Sequence, residues 1–431
     1  MRIAACYLAL LLLTWAPPPA RAQPAITPWA SYQSQSWNQL GFNQAGYDLD
    51  GSSAGDNLGI DLVLNQDGTR LAAGAYKGAG GGYVLTYDWD AATSSWGQVG
   101  TKLTGEASGD EFGFSVSLSA DGDRLAVGGR LGNGTKGYVK VYDWDANGSP
   151  PDWVFSEKFL GGGTGNRLGT TVSLSADGSR LAGGERGFAV GAKARAGRVR
   201  VWDWDGSTWG QVGGDVTGSN VVALDNWGGG VLSGDGTHLA GGTWKNANNR
   251  GIVDVFTLVG GTWTPKGSAI VGVATGDEFG LDMSLSHDGS RLAVGAALGD
   301  DNTTANSGYV QVFDWDGSNW VQAGATIFGA VANAEFGQFL SMSSDGLRLA
   351  AGAKNASFGG HARVYDWDAG SSNWVQVGAD IDGEAAGDQF GTHVCLSLDG
   401  SRLAVGAVAN DGGGANAGHV RVFGPGGESK G

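Results

Sequence analysis

The amino-acid sequence predicts an all-β fold: a seven-bladed β-propeller of four-stranded antiparallel blades, its ring closed by an N-terminal strand that completes the last blade. Three observations predict it. An Asp-Gly pair recurs with its glycine at Gly68, Gly122, Gly178, Gly236, Gly289, Gly346 and Gly400, a blade-sized spacing. Beside each pair, apolar residues alternate with small polar ones, as Val116 and Leu118 do with Ser115 and Ser117, the period of a half-buried strand. The last repeat stops one strand short, and a lone strand of the missing kind stands at Trp37-Asn38-Gln39-Leu40-Gly41.

Length alone would suggest two or three domains in 431 residues, but regular repetition overrides that prior. The 80 glycines recur at fixed offsets between apolar runs, so they read as turns and strand ends rather than low complexity. A net charge of −16, evenly spread, argues against nucleic acid or an anionic membrane surface as partner. Residues 1–22 read as a secretory signal peptide: Arg2, an apolar run from Ile3 to Leu13, then Ala20-Arg21-Ala22 as a small-x-small cleavage site. The expected mature chain is one propeller domain over 23–424, with its closing strand at 36–41 and a polar tail at 425–431. No stretch approaches the roughly 18 to 20 apolar residues of a membrane span. A secreted, extracellular, monomeric protein is the expectation. With Cys6 in the signal peptide, Cys395 stands alone, at a strand position held by Ser117 in another repeat, and reads as a small core residue.

Each repeat resolves into four strands. Asp110-Glu111-Phe112-Gly113 opens the first, Asp121-Gly122 supplies the positive φ of a tight hairpin, and Arg124-Leu125-Ala126-Val127-Gly128 forms the second. A variable loop leads to Tyr138–Tyr142, which ends in Asp143-Trp144-Asp145. The same triplet stands at Trp89, Trp204, Trp315 and Trp367. The fourth strand is Trp-x-Gln-x-Gly at Trp96, Trp209, Trp320 and Trp374, degenerate at Trp153 and Trp263. A single such sheet cannot cover both its faces; radial stacking does, and leaves only short edges. The fourth repeat, with Trp227-Gly228 and no Asp-Trp-Asp triplet, is expected to be the weakest blade.

These residues resemble the FG-GAP repeat family, whose best-known members are the seven-bladed propellers of integrin α subunits. The Phe-Gly half stands at Phe112-Gly113, Phe279-Gly280, Phe336-Gly337 and Phe390-Gly391, with Leu58-Gly59 and Leu168-Gly169 as variants. The Gly-Ala half stands at Gly74-Ala75, Gly295-Ala296, Gly352-Ala353 and Gly406-Ala407. The resemblance implies an extracellular binding ring that uses the face built from the loops between strands two and three and between blades. Two features depart from the family pattern: no copy keeps the proline of Gly-Ala-Pro, and the family's Asp-x-Asp-x-Asp-Gly calcium loop has shrunk to Ser-Ala-Asp-Gly. One Asp beside an Arg cannot supply the six to eight oxygens of Ca²⁺, so no metal is expected in these hairpins, and no cofactor is expected.

Two carboxylate sets are candidates for function. On the lower face Asp67, Asp121, Asp177, Asp235, Asp288, Asp345 and Asp399 accompany Arg70, Arg124, Arg180, His238, Arg291, Arg348 and Arg402. They read as an anion-binding ring or, more economically, as turn residues with local or inter-blade ion pairs. On the upper face Asp56, Asp110, Asp225, Asp277 and Asp388 each precede the innermost strand and are expected to converge near the axis as ligand-binding residues; the plainer reading is local capping of backbone N–H groups. Asn166 and Ala334 take this place in the other two repeats. Sequons at Asn133, Asn302 and Asn355 mark the upper loops as glycosylation candidates.

No catalytic set emerges. The histidines at 238, 287, 361, 393 and 419 fall at dissimilar repeat positions without metal-ligand spacing, and there is no nucleophile elbow. The Asp-Trp-Asp tryptophans read as inter-blade fillers, with sugar-stacking platforms as the alternative. The expected function is a non-enzymatic, adhesive or scaffold-like module binding an extracellular protein through its upper face. The alternative is a lectin-like, glycan-binding propeller, and an axial enzyme ranks third.

Overall fold

The computed structural model describes residues 37–40, 48–219, 222–245, 249–301 and 304–425. The predicted signal peptide, the segment 42–47 beside the closing strand and Asn302 lie outside them. Seven antiparallel sheets form one ring. Blade two is typical: Phe112–Leu118, Arg124–Gly129, Tyr138–Asp145 and Asp152–Leu160, from the axis outward. The Asp-Gly glycines all take positive φ, between 61° and 81°, as the hairpin between the first two strands requires. Blade four keeps four strands despite its departures, with Trp227 fully buried where other blades carry Phe or Leu.

The ring closes as the strand count predicts. Trp37–Leu40 pairs antiparallel with His419–Pro425, in the register Trp37↔Pro425 to Leu40↔Val422, as the outer strand of blade seven. Leu49–Asp50 pairs with the same strand at Val420 and His419, as Ile381–Asp382 does with Ala362 and His361 in blade six. Seven apolar clusters lie between successive blades. The one at the closing seam joins Leu58, Leu62 and Leu71 to Ala404, Val420 and Val422.

The two halves of the Phe-Gly/Gly-Ala motif meet across every seam. A Cβ added to Gly128 would lie 2.2 Å from the Gly169 carbonyl oxygen of the next blade, and one on Gly406 would lie 2.2 Å from that of Gly59. Only glycine lets the backbones approach this closely.

The polar residues of the repeat also join neighbouring blades. The turn Asp does not pair with the Arg three residues on, which corrects the expected Asp67/Arg70-type pairing. Asp121 Oδ1 instead accepts hydrogen bonds from Ser119 Oγ and the Asp123 N–H, at 2.6 and 3.0 Å, closing its own turn. Arg124 reaches back to Asp143 of the Asp-Trp-Asp triplet (2.6 Å) and forward to the Gly178 carbonyl of the next blade (3.0 Å). Its guanidinium lies over Trp204 and Trp209 of that blade, 5.0 and 5.3 Å from the ring centroids. Arg70, Arg180, Arg291 and Arg348 repeat the ion pair with Asp88, Asp203, Asp314 and Asp366. Arg402 has no such carboxylate, yet it donates to the Gly68 carbonyl (2.9 Å) and covers Trp89, crossing the closing seam.

Nearer the axis the innermost strands are joined through side chains. Ser117, Ser173, Ser284 and Ser341 each accept the N–H of the next blade's first strand, and Cys395 Sγ accepts that of Leu64 at 3.4 Å. Burial pushes the Cys395 thiol up to about 11, so it stays protonated and works as a substitute serine. Below them, turn joins turn through backbone bonds, from Gln66 N–H to the Ala120 carbonyl round to Asp399 N–H on the Gln66 carbonyl.

Candidate functional site

The five predicted upper-face carboxylates do not reach the axis. Asp56, Asp110 and Asp277 are buried and accept hydrogen bonds from the hydroxyls of Tyr83, Tyr138 and Tyr309, the first residues of their blades' third strands, at 2.7 to 2.9 Å. Asp388 accepts Asn410 Nδ2 at 3.0 Å. Asp110, Asp277 and Asp388 also cap backbone N–H groups of Ala107, Ala274 and Ala385, and Asp225 caps that of Val222. The plainer capping reading describes their geometry, and the expected convergence on the axis is corrected. The cause is the next residue. Asn57, Glu111, Arg167, Asn226, Glu278, Glu335 and Gln389 all take φ between 54° and 62°, and this left-handed step turns the preceding side chain into its own blade.

Other side chains fill the axis. A cavity of about 340 Å³ runs inside the ring of first strands, lined among others by Asp61, Asp282, His393, Arg186, Gln338 and Cys395. Its lower end is ringed by the turn-to-turn bonds, and Arg186, just past the upper end of strand Arg180–Glu185, places its mouth on the upper face. Asp61, Ser115, Thr171, Asp282 and His393 occupy one repeat position, two residues after the Phe-Gly glycine. Four of them join blades: Asp61, Ser115, Thr171 and Asp282 accept the N–H groups of Val116, Val172, Gly230 and Leu340. His393 Nε2 lies 2.9 Å from Asp61 Oδ1.

The electrostatics of this cavity are asymmetric. Burial pushes the Asp282 carboxyl up to about 6, against the pull of His393. Burial lowers His393, but the Asp61 carboxylate beside it outweighs that and leaves the imidazole above its ordinary value. Burial, then Arg130, brings Arg186 down to about 10, still charged at neutral pH. Arg186 Nε, Gln338 Oε1 and His393 Nδ1 make no hydrogen bond among the described residues. The cavity thus offers a cationic side, an anionic side and unsatisfied donors and acceptors, the chemistry that receives a small charged group. A signal for it was present in the sequence: this position carries Ser or Thr in two blades, and Asp or His in three.

The sequons Asn133 and Asn355 are exposed, in the loops between strands two and three. Among the described residues, one group of side chains places three metal-ligating atoms together: Asp48, Glu384 and His419, beside the closing strand. No helix among the described residues is long and apolar enough to cross a membrane. His361 and His419 share a repeat position, the first residue of the third strand, which corrects the reading that the histidines are unrelated.

Seven radial blades, with glycines meeting at each seam and a loop-rich mouth at one end, define a β-propeller of the repeat type. The family model described as FG-GAP repeat matches residues 271–313, from the connection into blade five through its first three strands. The chain is a seven-bladed propeller similar to the FG-GAP, integrin-α-like type, a likeness carried by that repeat match and by the fold. No curated protein matches it.

Proposed function

We propose that the chain is a secreted, non-enzymatic interaction module that binds an extracellular protein through its upper face. One observation carries the reading. The polar residues that repeat are engaged in holding blades together, whereas the upper face has variable loops around a mouth with unlike charges at Asp61, Asp282, His393 and Arg186. A partner's charged side chain entering that mouth would find matching groups. Exposed Asn133 and Asn355 would carry glycans at the rim and confine binding to its centre.

The lectin-like alternative needs bare tryptophan faces, and the guanidinium groups of neighbouring blades already lie over Trp144, Trp204 and Trp367. The test is capture of partners from extracellular extract by the native protein, by a version with shortened upper loops and by one altered only at lower turns. Loss of the same partner on the first change alone is the expected result. Turnover in a broad hydrolase and oxidoreductase screen, or a glycan-array signal abolished by Trp144→Phe in a folded protein, would replace this reading.

A further inference from the structure

We propose that His419, Asp48 and Glu384 form a divalent-cation site of the zinc type, which fastens the N-terminal segment to the last blade. Asp48 immediately precedes Leu49–Asp50, the short strand paired with Val420 and His419, and Glu384 follows Ile381–Asp382 in the connection into blade seven. One ligand atom from each residue lies within 4.8 Å of the others. His419 is 1% exposed and neither of its ring nitrogens makes a hydrogen bond among the described residues; Nδ1 lies 3.4 Å from Asp48 Oδ2. A buried imidazole aimed at two carboxylates, with both nitrogens unsatisfied, has the character of a metal ligand rather than of a core residue.

Blade six provides an internal control. His361, Arg363 and Asp380 stand where blade seven has His419, Arg421 and Asp48, and Ala330 stands where blade seven has Glu384. Arg363 there grips Asp380 with two bonds of 2.8 Å, and Gln376 adds a third at 2.9 Å. In blade seven Arg421 is shared between two carboxylates, 3.6 Å from Asp48 and 3.9 Å from Glu384, and lies over the rings of Phe390 and Phe423. With Glu384 added, two carboxylates face one arginine, and the cluster is net anionic.

One imidazole and two carboxylates suit Zn²⁺, with water completing four-coordination. Tetrahedral ligand atoms stand about 3.3 Å apart, so the group must contract. Glu384, whose side chain is 46% exposed, has the rotamer freedom to do so.

The test is titration of the purified, chelator-treated chain with Zn²⁺, and separately with Mn²⁺ and Ca²⁺, followed by calorimetry and melting. One saturable Zn²⁺ site that raises the melting temperature is expected. His419→Gln and Glu384→Gln should each weaken it by at least about tenfold, and Arg421→Gln should tighten it by removing a competing cation. Glu384→Gln, at the surface, decides the matter if the histidine variant misfolds. Absence of a saturable site, or affinity unchanged in Glu384→Gln, overturns the proposal.

Discussion

The lower and upper rims of this ring are built from the same repeat but differ in what repetition leaves over. On the lower rim, each turn closes on its own Asp, joins the next turn through the backbone, and receives a cation of the preceding blade on its carbonyl, an Arg in six turns and Lys266 at Gly289. Sevenfold use consumes these groups. On the upper rim the blades diverge: in three a Tyr hydroxyl bonds the Asp, as Tyr138 does Asp110, in blade three Arg198 bonds Glu185, and blade six has the buried Ala334 in the Asp position. Symmetry thus marks structure in this molecule, and broken symmetry marks the surface available for recognition.

The largest test of that contrast strikes a seam. Gly406→Val places a side chain where even a Cβ meets the Gly59 carbonyl at 2.2 Å, so a loss of at least about 3 kcal/mol in denaturant unfolding is expected. Removing residues 23–50 strips the edge of His419–Pro425, and light scattering should show aggregation; a monomer with unchanged melting would refute closure by this strand. Next in size, Arg291→Ala loses the Asp314 pair, the Gly346 carbonyl and the face of Trp367, at a cost of about 2 kcal/mol. Arg402→Ala, which lacks the carboxylate, should cost about half as much.

A smaller effect separates the axis from the rims. With the Asp282 carboxyl pushed up to about 6 from 3.8, the folded state holds the proton longer than the unfolded chain, so stability falls as pH rises through that interval. His393, also raised, acts in the same direction, losing its contribution as pH rises through its folded value. Asp282→Asn removes the first contribution. Its melting temperature should gain on the native protein between about pH 5 and pH 8, by an amount equivalent to about 1–3 kcal/mol. Smallest of all, Phe358→Ser at an upper-loop residue 77% exposed should change stability by less than about 0.5 kcal/mol while reducing partner capture.

The ring, its blade count and its closing strand were legible because they rest on period-two alternation, Asp-Gly turns and a count of strands. Contacts between blades were less so. Arg124 finds Asp143 on its own third strand and Gly178 in the next blade, and no local pattern announces either partner. The misplacement of Asp110 has a local cause: Glu111 takes a left-handed conformation that reading the alternation through the Phe-Gly pair does not anticipate. The axial set was hidden in plain alternation, because Asp61, Asp282 and His393 look like irregular substitutions of a serine until the first strand is known to face the cavity. His419 lacked ligand spacing because its companions come from the two ends of the domain.

The seam between the last blade and the first also has a kinetic meaning. Asn57 Nδ2 bonds the Val408 carbonyl, Leu64 N–H reaches Cys395, and Trp37–Leu40 waits for His419–Pro425, all contacts between opposite ends of the domain. Loop-closure entropy must be met before any of them forms, so they belong to the late steps of folding. During synthesis the first blade therefore emerges with one flank uncovered and with the strand Trp37–Leu40 ahead of it unpaired, and both stay so until the seventh arrives. The step that completes the molecule is also the step that removes its most aggregation-prone surface.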